Sequence, residues 1–180
     1  MKRPTLDSSF YFITCPTFLH QPILTDIYKE VLLINILENA KKLGSIYAYS
    51  IAVNHYHILI YLQNGDLLAK LMQKINGKTS FQINKLKNGS ERTWGTYWSN
   101  IIFDNTVCYK VLGYIAGNLL KHKEALNFEE LYNSKFSSYK YLVKQRGEEN
   151  ARAMIQEVIN LDIMEDGVNI EEFFKSRLKS

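Results

Sequence analysis

The sequence predicts an α+β protein: a ferredoxin-like (split β-α-β) antiparallel sheet with an added catalytic helix and a helical C-terminal extension. Two observations lead there. Short aromatic and β-branched runs alternate with longer runs of helical period, and their order over residues 10–122 is β-α-β-β-α-β-α. The run over 55–62 is long and apolar, and it follows a turn residue, Asn54, which sets a hairpin in the middle of that order.

Phe10-Tyr11-Phe12-Ile13-Thr14-Cys15 reads as the first strand, ending near Pro16. Leu24 to Leu43 follows helical period with Leu24, Ile27, Tyr28, Val31, Ile34 and Leu37 on one face, and Lys41, Lys42 and Gly44 mark its end. Ser45 to Val53 alternates as the second strand, and 55–62 is the third. A second amphipathic helix spans about Asp66 to Leu86, with Lys70, Lys74 and Lys78 four apart along its solvent stripe. Asn88-Gly89-Ser90 is a loop and Trp94 to Phe103 a short final strand. Asp104-Asn105 caps a helix running to about His122. Residues 1–122 are then the core domain. Residues 123–180 are an extension with helices over Glu149–Asn160 and Val168–Leu178.

At 46% hydrophobic and 22% charged residues the composition is that of a globular chain with a real core. No apolar run approaches the roughly 20 residues of a membrane helix. Asp7-Ser8-Ser9 interrupts the basic N-terminus before any hydrophobic stretch, which argues against a signal peptide. Cys15 and Cys108 lie far apart in core elements and read as reduced thiols of a cytoplasmic protein. Residues 1–122 hold 13 Lys+Arg against 7 Asp+Glu, a net +6, whereas 123–180 hold 9 against 11, a net −2. A basic body with an acidic tail suits a polyanionic partner.

The chemistry centres on His55-Tyr56-His57. The chain has four histidines, and two of them stand at i, i+2 in a strand, so both imidazoles leave one face of the sheet. Tyr56, Ile58, Ile60 and Leu62 leave the other, the expected core face. Paired histidines on the opposite face fit a metal ion or a phosphate. In the last core helix Tyr114 and Asn118 are four apart and share a face that His122 continues, while Cys108, Leu112, Ile115 and Leu119 offer an apolar face for the sheet. The helix thus presents a phenol nucleophile beside an amide able to bind metal. A tyrosine with its ordinary pKa near 10 needs adjacent positive charge to attack phosphorus as phenolate. A divalent ion on two imidazoles and an amide oxygen would supply it and polarise the phosphoryl oxygen.

These residues resemble the single-tyrosine HUH nucleases and, more closely, the REP-associated tyrosine transposases and related insertion-sequence transposases. The resemblance runs from Phe10 to about Tyr141. Four blocks in order carry it: Asn54-His55-Tyr56-His57, then Trp94 with Trp98-Ser99-Asn100-Ile101-Ile102, then Tyr114-Ile115-Ala116-Gly117-Asn118, then Phe136-Ser137-Ser138-Tyr139. The chain departs from the pattern at Ala52-Val53, where relatives commonly have Met-Pro, and at Leu119, where they often have Pro. Neither departure removes a catalytic group.

The resemblance implies His55, His57 and Asn118 as ligands of Mg²⁺ or Mn²⁺ and Tyr114 as the nucleophile. The implied reaction is cleavage and strand transfer of single-stranded, hairpin-bearing DNA through a 5′-phosphotyrosine, by a monomer or a homodimer. Lys70, Lys74, Lys78 and Arg92 are then phosphate contacts, or else simply a solvated face. Gly113 and Gly117 are either slack tolerated by packing or space for DNA or helix movement. Trp94, Tyr97 and Trp98 are core or edge residues, one of which could stack an unpaired base. The acidic extension either packs or covers the basic groove and restrains activity, in which case truncation after about Lys144 raises cleavage. The competing function is a non-catalytic nucleic-acid-binding protein derived from such a transposase. A two-histidine phosphoesterase would need a second histidine-x-Thr/Ser element, which the sequence lacks.

Overall fold

The computed structural model describes residues 5–161 and 169–177. Four strands, β1 (Ser9–Pro16), β2 (Ser45–Ile51), β3 (His55–Leu62) and β4 (Trp98–Ile102), form one sheet in the order β2-β3-β1-β4 with every pair antiparallel. That is the split β-α-β order: β3 and β1 are central, and each hairpin or crossover partner lies outside. β1 pairs with β3 so that Pro16 faces His55, Thr14 faces His57 and Ser9 faces Leu62.

Helices α1 (Asp26–Leu43) and α2 (Leu67–Leu86) cover one face. They bury Tyr11, Ile13, Tyr56, Ile58, Ile60 and Leu62 against Leu32, Ile36, Leu71 and Ile75. The inward stripe of α1 differs from its apolar periodicity. Ile27, Ile34 and Leu37 are exposed, whereas Lys29, Asn35 and Asn39 are buried. Specific partners override hydrophobicity here. Asn35 Nδ2 donates to Thr79 Oγ1 (3.0 Å) and Gln82 Oε1 (2.7 Å) of α2, and Asn39 Nδ2 donates to the Asn35 carbonyl (2.8 Å).

The opposite face, which carries the histidines, is also covered. Helix α3 (Asn105–Lys121) crosses it, packing Val107, Val111, Tyr114 and Ile115 on Phe12, Ala48 and Leu59. The sheet is therefore the middle of three layers. The face of α3 that carries Tyr114 and Asn118 is the one turned to the sheet. Of the apolar set expected there, Ile115 and Leu119 are buried, while Cys108 and Leu112 are only partly covered.

After α3 come α4 (Phe128–Asn133), α5 (Tyr139–Arg146), α6 (Glu148–Val158) and α7 (Ile170–Arg177). The first two of these lie outside the sequence expectation. Phe136-Ser137-Ser138 runs along the outer edge of β2: Ile51 N donates to the Phe136 carbonyl (2.9 Å) and Ser138 N to the Tyr49 carbonyl (2.9 Å). α6 crosses α3 closely enough that a Cβ at Gly113 would strike the Met154 carbonyl, and one at Gly117 would meet Ile155. The two glycines are neither slack nor space for DNA; they admit α6. A cut after Lys144 would remove the helix on which α3 leans.

Candidate active site

β3 and α3 bring four side chains together. His55 (4% exposed), His57 (0%), Tyr114 (2%) and Asn118 (0%) form one buried group. The imidazole centroids of His55 and His57 are 4.8 Å apart, and the Tyr114 ring stands 5.4 Å from that of His57 in an edge-to-face arrangement. Phe12 stacks on His57 at 5.5 Å and fixes its plane.

The hydrogen bonds of His55 define its chemistry. Nδ1 lies 2.7 Å from Asn54 Oδ1 and Nε2 lies 3.1 Å from Asn118 Oδ1. Asn54 Nδ2 reaches the His20 carbonyl at 3.4 Å, which orients its oxygen toward His55. Both ring nitrogens therefore face oxygens that only accept, and a neutral imidazole has one N–H to give. Either the ring is an imidazolium, or Nδ1–H donates to Asn54 and the Nε2 lone pair and the Asn118 oxygen converge on a shared cation. Two adjacent ligands of an octahedral ion at about 2.1 Å stand about 3.0 Å apart, which matches the observed separation. His57 Nδ1 is 3.0 Å from Thr14 Oγ1, its partner across β1, an arrangement that also directs Nε2 inward. The donor set of two imidazoles and an amide oxygen is neutral and fits a divalent cation with positions left for a phosphate. No triad of His, Cys, Asp or Glu competes for a metal among the described residues.

The end of α3 is held to this geometry by a motif absent from the sequence reading. Lys123 takes φ 58, its N–H bonds the Leu120 carbonyl (3.0 Å) and the Glu124 N–H bonds the Leu119 carbonyl (2.9 Å). This Schellman closure turns Glu124 back. One carboxylate oxygen accepts from Val53 N (2.8 Å) at the surface and the other from the buried Lys29 Nζ (2.5 Å). Glu124 thus ties α3 to the turn that leads into His55 and to α1. Lys121, seven residues beyond Tyr114 on the same helix face, sets its ammonium 5.1 Å from the phenol ring centroid. The i, i+7 spacing could have revealed it, whereas nothing local marks Thr14 or Glu124.

Other expected site residues lie apart. Lys70, Lys74 and Lys78 are on α2, across the sheet from the histidines, and Lys78 pairs with Glu38 at 2.8 Å. Arg92 stands over the Phe18 ring (4.7 Å) and donates from Nε to the Trp94 carbonyl (2.9 Å), in a loop bridged to β1 through Thr17 and Trp94. His122 does reach the group: its ring is 4.7 Å from that of His55. Trp94 is buried against Tyr56 (5.3 Å), so it is a core residue.

Cover over Tyr114 comes from the C-terminal helices. Val158 of α6 and Ile170 and Phe174 of α7 belong to its buried cluster. Glu171 docks α7: Oε1 accepts from Phe103 N (2.5 Å) and Asp104 N (2.8 Å) at the start of α3, and Oε2 accepts from Lys175 (2.7 Å). Burial opposes its charge, but the Lys175 ammonium and the two amides outweigh that and hold its carboxyl below the ordinary value. No described helix is long and apolar enough to cross a membrane.

Residues 8–116 match the family model described as "Transposase IS200 like". Among solved structures the chain is similar to a REP-associated tyrosine transposase bound to a REP hairpin, at 18% identity and TM-score 0.66 over 82% of this chain and 86% of that one. A Deinococcus radiodurans R1 protein, provisionally described as a transposase, aligns at 13% identity and TM-score 0.44 over 60% of this chain and 89% of its own. No curated protein sequence gives a significant match. With the family pattern extending from β1 into α3 and the split β-α-β sheet beneath it, this chain belongs to the IS200-like transposase family.

Proposed function

We propose that the protein is a metal-dependent endonuclease and transesterase of single-stranded DNA, acting in DNA transposition and recombination through a 5′-phosphotyrosine on Tyr114. The observation that carries this is the pairing of His55 Nε2 with Asn118 Oδ1 at 3.1 Å, beside His57 and the Tyr114 ring. His55, His57 and Asn118 would hold the ion, with Asn54 and Thr14 setting the two imidazole tautomers. Mg²⁺ or Mn²⁺ bound there would polarise the scissile phosphoryl group and favour phenolate. Tyr114 Oη attacks phosphorus and gives up its proton to solvent, the P–O3′ bond breaks, and the departing 3′ oxygen takes up a proton from solvent, so no net proton is released. Attack by another strand's 3′-hydroxyl on the adduct releases Tyr114 and restores a phosphodiester, so no external energy source is needed.

Residues 1–122 are the HUH core in this reading, and 123–180 are an extension that caps it. The substrate is taken to contain a hairpin, because the similar transposase is bound to one. Lys70, Lys74, Lys78 and Arg92 are candidate phosphate contacts for the duplex part, away from the cleavage centre. All the groups named come from one chain, so cleavage in cis needs no second copy, although a homodimer would be compatible with it. The place of action is taken to be the cytoplasm.

One observation favours a second reading, a nucleic-acid-binding descendant without catalysis: Tyr114 is only 2% exposed. Incubation with hairpin-bearing single strands and Mn²⁺ separates the two. A DNA–protein species that survives denaturation and is lost on chelation supports the enzyme; stable binding with no such species supports the alternative.

A further inference from the structure

The cleft between the open end of β2, α3 and α5 lies outside the metal and tyrosine group. We propose that it binds one unpaired nucleotide of the DNA strand, with the base between Tyr47 and Tyr141 and its phosphate on Arg146. This rests on the reading that the substrate is single-stranded DNA.

The strand creates the cleft. The β2–β3 register slips by one residue between Ile46 and Ala48, leaving Tyr47 as the extra residue of a bulge. Bulges re-aim side chains, and Tyr47 is 52% exposed with its ring edge-to-face on Phe10 at 4.9 Å. The Phe136–Ser138 segment covers the outer edge of β2 from Tyr49 onward, so Tyr47 stands beyond that cover. Tyr141 of α5, 56% exposed, forms the facing wall, and the space they share encloses about 310 Å³, the lower end for a small-ligand site. Both rings line this same space.

Chemistry chooses the occupant. Exposed tyrosines offer π faces to any base, and the Gln145 amide and Ser138 in the wall can meet base edges. No charged residue among those described lines the 310 Å³ space itself; Arg146 lines the adjoining recess of about 80 Å³, which shares Tyr47, Ala48, Ser138, Tyr141 and Gln145 with it, and is held over the Tyr109 ring (5.0 Å) with its guanidinium 3.4 Å from the Tyr109 hydroxyl. A cationic aromatic cleft without an acid suits a nucleotide rather than a cationic or purely apolar segment. Ala48 at its floor pairs with Leu59, two residues along β3 from His57. The Cα separation this implies is about 8 Å, which two or three stacked nucleotides at about 3.4 Å each would span.

The test is ultraviolet cross-linking of the full chain to a short hairpin oligonucleotide carrying 5-bromodeoxyuridine at each flank position in turn, with mass-spectrometric mapping. The expected result is cross-links on the peptides of Tyr47 or Tyr141. Tyr47→Ala and Tyr141→Ala should each weaken binding of the single strand about 5- to 100-fold, and Tyr47→Phe should bind within a few-fold of wild type. Cross-links only elsewhere, alanine variants of unchanged melting temperature that bind like wild type, or a wild type that binds no single strand would each overturn the proposal. Covalent adduct formation, measured on the wild type in parallel, reports on the cleavage reading alone. Cleft cross-links without an adduct remove the chemistry and keep the cleft; an adduct with cross-links elsewhere does the reverse.

Discussion

His55 Nε2 and Asn118 Oδ1 lie 3.1 Å apart, the first at the start of β3 and the second in the last turn of α3. Because Asn54 Oδ1 already faces the other nitrogen of the ring, the contact calls for an imidazolium or for an added cation, and the proposed metal-dependent reaction takes the second. Mn²⁺ should therefore raise the melting temperature of the wild type and leave His55→Ala and Asn118→Ala unchanged. An equal rise in all three would place the ion elsewhere.

Asn54 acts one step back. Asn54→Ala removes the acceptor that selects the Nδ1–H tautomer of His55, and Mn²⁺ affinity should fall about 10- to 100-fold with the fold intact. Isothermal titration measures it, and an unchanged affinity would show that the tautomer is set by other means.

Gly113 and Gly117 are places where α6 comes against α3. Gly113→Ala gains about 1 kcal/mol of helix propensity but drives a methyl into the Met154 carbonyl, a backbone atom that cannot swing aside. Overpacking of this kind costs about 1–3 kcal/mol, so the net should be a loss of up to about 2 kcal/mol, read by urea denaturation. A more stable variant would mean that α6 is not seated on α3.

Glu171 couples the cover on Tyr114 to pH. Its folded-state carboxyl lies below its ordinary value, so it contributes stability above the unfolded pKa that is lost as pH falls through the folded one. α7 should therefore protect Phe103 and Asp104 amides from hydrogen exchange at neutral pH and release them as pH falls through the lowered folded-state value of the Glu171 carboxyl. Glu171→Gln should release them at neutral pH. If α7 restrains cleavage, that variant and a chain ending at Leu161 should both form adduct faster than wild type. Slower adduct formation by the folded variants would assign α7 a supporting role instead.

Legibility differed between the two faces of the molecule for a physical reason. The histidine strand and the Tyr114–Asn118 spacing were readable because period 2 and period 3.6 project side chains onto single faces, whatever packs there. The inward stripe of α1 is not legible from apolar period because Asn35 and Asn39 are buried through individual hydrogen bonds, which leave no periodic trace. The cover over Tyr114 and the task of Gly113 and Gly117 depend on where α6 and α7 return, a long-range matter that local pattern does not encode. The same holds for Glu124, whose partners Lys29 and Val53 are distant in sequence. The short helices α4 and α5 are too brief for a periodic signal.

The central claim is that the Tyr114 phenol takes the DNA. The most direct measurement is peptide mass spectrometry of the protein after incubation with hairpin-bearing single-stranded DNA and Mn²⁺. The account predicts a 5′-phosphorylated nucleotide remnant on the peptide containing Tyr114, and no covalent species in Tyr114→Phe although that variant still binds the DNA. A remnant on any other residue, or an adduct that persists in Tyr114→Phe, would contradict it.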